Sequence, residues 1–139
     1  MVNSNMPDSI FTKIIKKKIP AEIVWENRDF IAILDIRPLA KGHTLLIPKV
    51  QIDKFYDLDE QTYAELFRLV KSFARKIEDT MQCARTGIII EGFGVPHVHI
   101  HLIPMNHGGI IDTKHNYEAS KAELQEMGDL MRRSFKEIS

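Results

Sequence analysis

The 139-residue sequence has one cysteine, Cys83, which excludes a disulfide within the chain and reads as a small packing residue in a reducing setting. It has no charge excess. Its 19 basic and 19 acidic residues cancel, so no overall field gathers nucleic acid or a membrane surface, and any anion must be held locally. Long hydrophobic runs are missing too. No segment approaches the roughly 20 apolar residues of a bilayer-spanning helix, and the polar stretch Met1 to Asp8 lacks the apolar core of a signal peptide. Repeats and low-complexity tracts are absent. These absences point to a cytoplasmic protein with no nucleic-acid or membrane partner.

What is present is an ordinary core supply. A hydrophobic fraction of 44% in a chain of this length allows roughly 68% of the unfolded surface to be buried. The expectation is a flexible leader over residues 1–8 and one domain over residues 9–139, with a C-terminal helix at about 120–138. Ile10, Phe11, Ile14 and Ile15 recur at helical spacing behind Asp8 and Ser9, either of which suits an N-cap. Pro20 is expected to end that helix, with Lys16, Lys17 and Lys18 in its last turn. Strands are expected at Glu22 to Trp25, Phe30 to Leu34 and Thr44 to Ile47.

From Tyr63 to Met81 the apolar positions step by three and four, the stripe of a helix about six turns long capped at Asp57 or Asp59. Two more strands follow, Gly87 to Glu91 and His97 to Ile103, and Ser120 with Glu123 opens the last helix. Met105 to Tyr117 reads as a loop, and its His107 and His115 as loop histidines. Strands this closely spaced leave no room for helical crossovers. An α+β fold is therefore expected, a five-stranded antiparallel sheet with helices on one face.

The chemistry concentrates in His97-Val98-His99-Ile100-His101-Leu102-Ile103. A period of two places the imidazoles on one face and the aliphatics on the other. Same-face neighbours lie about 6.6 to 6.8 Å apart, where two charged rings would repel by about 2.5 kcal/mol, so the row cannot be fully protonated at neutral pH. Near-neutral imidazoles in a row suit two tasks, gripping a metal or presenting donors and a nucleophile to an anionic group. His-x-His is a zinc spacing, but no Cys-x-x-Cys or His-Glu-x-x-His accompanies it, and the nearest acid in sequence is Glu91.

This run resembles the histidine-triad signature of the HIT superfamily of nucleotide hydrolases and transferases. The likeness extends to Ile10 to Ile15 through Ile19-Pro20-Ala21, to Leu34-Asp35-Ile36-Arg37-Pro38, and to Gly42-His43-Thr44-Leu45-Leu46-Ile47-Pro48-Lys49. It implies cleavage at the α-phosphorus of a purine nucleoside phosphoramidate or dinucleoside polyphosphate through a nucleotidyl-histidine. His99 would be the nucleophile, His101 would contact the phosphate or leaving group, and His97 and His43 would arrange the site. Asp35 would accept the ribose hydroxyls, and Phe11, Ile14 and Ile36 would form the base pocket.

Many relatives carry Gly-Gln-Ser/Thr-Val before the triad, where this chain has Gly92-Phe93-Gly94-Val95. With both polar side chains missing, the backbone N–H groups of Phe93, Gly94 and Val95 are left to meet the phosphate. The Cys-x-x-Cys that holds a structural zinc in some relatives corresponds to Ser9 and Thr12, so no metal or other cofactor is expected. The resemblance also implies a homodimer, with the long helix and the Thr44 and Gly87 regions at its interface. Two other readings stay open, a nucleotide-binding sensor or scaffold with little turnover and a histidine-based metal-binding domain.

Overall fold

Alternating apolar residues of the early strands face two different cores in the computed structural model, which describes residues 6–109 and 111–139. The elements run α1 (Ile10–Ile15), β1 (Ile23–Glu26), β2 (Phe30–Leu34), β3 (Thr44–Pro48), α2 (Glu60–Met81), β4 (Arg85–Ile89), β5 (Ile100–Met105) and α3 (Lys121–Phe135). Short 3-10 turns lie at Phe55–Asp57 and Thr113–His115. The strands form one five-stranded sheet in the order β1-β2-β3-β5-β4, and every neighbouring pair is antiparallel.

On one face Phe30, Ala32, Leu34, Leu46, Ile100 and Leu102 pack against Leu66, Leu69, Phe73 and Ile77 of α2 and Met127, Met131 and Phe135 of α3. On the other, Ile31, Ile33, Leu45 and Ile47 pack against Phe11 and Ile14 of α1. The expectation of helices on a single face is thus corrected. Both β2 and β3 are buried along their whole length, which demands a cover on each side.

Helix α1 also stops earlier than Pro20 requires. Lys17 adopts a left-handed φ of 61°, its N–H bonds to the Ile14 carbonyl at 3.0 Å, and the Lys18 N–H bonds to the Lys13 carbonyl at 2.8 Å. That pair of bonds is a Schellman ending, so the lysines lie past the helix and pair with Asp8 and Glu26. Ser9 is the N-cap, accepting from the Thr12 N–H at 3.0 Å, and Asp59 caps α2. Ser120 caps α3, but Glu123 accepts from the Tyr117 hydroxyl at 2.6 Å. Helix α3 ends at Phe135, short of 138, and the Ile138 carbonyl accepts from the Trp25 indole at 3.1 Å.

Strand β5 begins at Ile100, not at His97. Pro48 closes β3 and has no N–H with which to extend the ladder. The Val98 N–H turns instead to the Ile52 carbonyl at 2.7 Å, and the His97 N–H to Val95 at 2.8 Å. Alternation nevertheless survives, because Val98, Ile100 and Leu102 all lie in the α2–α3 core. Positions 1–5 of the expected leader lie outside the described residues, and Pro7 is tied to Gln51 at 2.8 Å. Thr44 is fully buried in the sheet and bonds to the Gly42 carbonyl, so it offers no surface for the expected dimer interface.

Candidate active site

The histidines gather along β3, with His43 just before its first residue, His101 opposite Leu45 and His97 at Pro48, by contacts that the sequence spacing alone does not contain. The His97 ring is fully buried, with Nε2 2.7 Å from the Pro48 carbonyl and Nδ1 2.6 Å from Ser9 Oγ. A carbonyl only accepts, so the His97 proton sits on Nε2, and Ser9 donates to Nδ1 while it accepts from the Thr12 N–H. Thr12 Oγ1 donates in turn to Gln51 Oε1 at 2.6 Å. Burial pushes His97 below the ordinary histidine range, opposed by the Pro48 bond and aided by the nearby His99.

His99 Nδ1 lies 2.7 Å from the His97 carbonyl. The same rule puts its proton on Nδ1 and leaves the lone pair on Nε2. Phe11 packs on this ring with centroids 4.8 Å apart. His101 follows at 5.0 Å from His99 and 5.1 Å from His43, ring centre to ring centre. The Leu39 N–H donates to His43 Nδ1 at 3.0 Å, so His43 donates from Nε2 to His101 Nδ1 at 2.9 Å. His101 then carries its proton on Nε2, free to donate. Burial holds His43 down at about 4, with Asp35 opposing and His101 reinforcing the shift. Burial also lowers His101, reinforced by His99 and opposed by Asp35 and Glu91.

Asp35 Oδ1 accepts from the Arg37 N–H at 2.9 Å, and Oδ2 stands 3.6 Å from His43 Nε2 and 3.9 Å from His101 Nδ1. A cavity of about 140 Å³ joins Asp35, His43 and His101 to Arg37, Glu91 and Asn116. Arg37 reaches Asn116 at 3.3 Å, and the Tyr117 and Ala119 N–H groups bond to the Pro38 and Ile36 carbonyls. The segment before α3 thus forms a wall of the site. His107 and His115 in this region are exposed.

The other expected positions divide. Phe11 and Ile14 are each 6% exposed in the α1-side core, Phe11 against His99, whereas Ile36 is 62% exposed and outside that cluster. Phe93 is 94% exposed, and its N–H is taken by Glu91 Oε2 at 3.3 Å. The Val95 carbonyl serves the His97 N–H, and Gly94 has no neighbour where a Cβ would lie. Sequence reasoning missed Glu91, Arg37, Asn116 and Gln51 as parts of the site. The one available signal was Glu91, the acid closest to the triad in sequence.

A family model for the HIT domain matches residues 16–108. The chain belongs to the HIT family. It is 39% identical over 97 residues to the adenosine 5'-monophosphoramidase of Schizosaccharomyces pombe, covering 68% of this chain and 72% of that protein. Among solved structures, a HIT-like protein of Bartonella henselae described as involved in cell-cycle regulation superposes with a TM-score of 0.81 at 28% identity, covering 96% of this chain and 99% of that one. A zinc-bound histidine triad protein of Mycobacterium smegmatis gives a TM-score of 0.77 at 27% identity, covering 93% and 94%.

Zinc is a poor match for the α1 end of this HIT protein. Ser9, Thr12 and Gln51 offer neutral oxygens already spent on one another and on His97, where zinc wants thiolate or imidazole. Two groups of ligand type do converge elsewhere among the described residues, Asp35 with His43 and His101, and Glu91 with His99 and His101, their donor atoms within 4.8 Å. No described helix is long and apolar enough to cross a membrane.

Proposed function

We propose that this HIT protein is a hydrolase that cleaves at the α-phosphorus of a purine nucleotide, as a phosphoramidate or dinucleoside polyphosphate, through a covalent nucleotidyl-His99. The observation that carries the reading is the 2.7 Å bond from His99 Nδ1 to the His97 carbonyl, because it reserves the Nε2 lone pair for attack. The name of the fission-yeast relative supports the reaction class.

In the first step Nε2 attacks phosphorus and the bond to the leaving group breaks, its electron pair departing with the leaving atom. The His101 Nε2–H, set by the His43 bond, hydrogen-bonds to the charge that develops. Water then attacks the adduct, the phosphorus–nitrogen bond breaks, and the pair returns to Nε2. Asp35 Oδ2 accepts from the ribose, since Oδ1 already holds the Arg37 N–H. A cytoplasmic homodimer belongs to the same proposal, and sedimentation analysis tests the assembly.

The experiment is mass spectrometry of the protein quenched during turnover of an adenosine phosphoramidate. A nucleotidyl adduct is expected on the peptide carrying His99. His99→Ala should lose the adduct and at least about a thousandfold in turnover while keeping its fold. An adduct elsewhere, or parent-level turnover by the variant, overturns the assignment. A second reading, a sensor with little turnover, draws on the Phe93 N–H being occupied by Glu91; nucleotide affinity in calorimetry with no adduct would select it.

A further inference from the structure

His99 also lines a second, larger cavity, about 360 Å³, closed by the 3-10 turn before α2 on one side and the glycine bend before the triad on the other. That volume suits a small organic group. Its walls include the carboxylates of Asp53 and Glu91 and the rings of Phe55, Tyr56 and Phe93. Lys54, its one basic wall residue, has Nζ 5.9 Å from the centre of the Tyr56 ring. That ring face is therefore held by the chain's own cation, which leaves the two carboxylates and the Phe55 and Phe93 rings to a guest. The two walls meet where Gly92 holds a φ of 77° and a Cβ would lie 3.9 Å from Asp53 Oδ1.

Glu91 lines this cavity and the smaller one holding Asp35, His43 and His101. It stands at the junction of a nucleotide side and an unassigned side. Its Oε2 accepts the Phe93 N–H, so the bend turns a carboxylate toward the junction and keeps one amide donor from any anion. A polyphosphate entering the larger cavity would meet two carboxylates and aromatic faces. An ammonium on a short carbon chain would meet partners for both its charge and its methylenes.

We propose, on the reading that His99 is the nucleophile of a nucleotide hydrolase, that the cavity between Asp53–Tyr56 and Glu91–Phe93 receives the departing group, and that this group is an amine bearing positive charge. The substrate class is then a nucleoside phosphoramidate of a cationic amine, not a dinucleoside polyphosphate. In the first step the phosphorus–nitrogen bond of the substrate breaks with its pair on the amine nitrogen, which takes a proton from solvent. The His99 Nε2–phosphorus bond forms at the same phosphorus. In the second, water supplies the oxygen to phosphorus, the His99 Nε2–phosphorus bond breaks with its pair returning to Nε2, and the water's proton passes to solvent, so the sum is phosphoramidate plus water giving amine plus nucleoside monophosphate.

The test compares kcat/KM of the full chain on three adenosine compounds that differ only in the departing group. They are the 5'-phosphoramidates of 1,4-diaminobutane and of its neutral isostere n-pentylamine, and diadenosine tetraphosphate. The diamine compound should exceed the pentylamine compound by about tenfold and the tetraphosphate by about a hundredfold. Glu91→Gln and Asp53→Asn should each lower the diamine to pentylamine ratio several-fold, a ratio that partial misfolding does not move. A ratio near one in the parent, an unchanged ratio in both variants, or a preference for the tetraphosphate overturns the subsite while leaving the nucleophile intact. Failure to turn over any of the three overturns the hydrolase reading, and the subsite with it.

Discussion

The two faces of the sheet are built from the same strands yet buried against unlike neighbours. Against α2 and α3 the core is aliphatic, aromatic and methionine, and the buried polar side chain there, Thr44, is bonded to the Gly42 carbonyl. Against α1 the apolar cluster is smaller, and Ser9, His43, His97 and His99 are buried beside it. Among the described residues no buried side-chain polar atom lacks a partner. One face holds the fold together, and the other uses burial to fix tautomers at the expense of desolvating imidazoles.

The sharpest way to break that contrast is Phe73→Ala. Phe73 is fully buried and touches Trp25 and Phe135 at ring-centre distances of 5.1 and 4.6 Å. Truncation should cost about 3–5 kcal/mol in denaturant unfolding, with the turnover of the remaining folded molecules unchanged. A large loss of kcat at full folding would show that the two faces are not separable.

Acid should act through the opposite face. His43, His97 and His101 are all held below the ordinary histidine range by burial. Between the unfolded value near 6.5 and the folded one, at about 4 for His43, the unfolded chain binds more protons, so stability rises with pH and is lost as pH falls through that window. Each histidine contributes a slope of up to about 1.4 kcal/mol per pH unit. The lowered carboxylates of Glu26 and Glu65 lose their contribution as pH falls too, but only below their unfolded values near 4.5. Unfolding measured from pH 7 to 5 should show the slope in the parent and a shallower one in His43→Gln; a flat profile would remove the argument that these rings are buried uncharged.

The difference between the faces also sets what the sequence made legible. The stripe of α2, the alternation of β2 and β3 and the cap at Ser120 are local patterns, and the structure has them at or within a few residues of their expected places. The α+β fold followed from the same patterns, and the family from the resemblance of the His97 to Ile103 run and its companion segments to the histidine-triad signature. The second cover of the sheet did not, because α1 carries only Phe11 and Ile14 into its core and such a short stripe does not say which face it meets. Pro48 was visible, but its effect falls on a partner about fifty residues later, where the missing N–H delays β5 to Ile100. Glu91, Arg37 and Asn116 enter the site through loop contacts between distant segments, which leave no periodic trace.

The smallest of these effects isolates the link between α1 and the triad. Ser9 caps α1 and donates to His97 across 88 positions of sequence at 2.6 Å. Ser9→Ala therefore removes a helix cap, worth about 1 kcal/mol, and leaves His97 Nδ1 buried without its partner, a further cost of about 1 kcal/mol or more. Thermal unfolding should register about 2 kcal/mol in all, and Ser9→Thr, which keeps the hydroxyl, should recover most of it. If His97 instead held its place by packing alone, Ser9→Ala would lose only the cap, and the His97 Nδ1 NMR shift, which reports whether that lone pair accepts a hydrogen bond, would match the parent. A His97 Nδ1 shift displaced in Ser9→Ala and restored in Ser9→Thr, with the proton kept on Nε2 by the Pro48 carbonyl, would tie the hydroxyl at the start of α1 to the residue whose carbonyl holds His99.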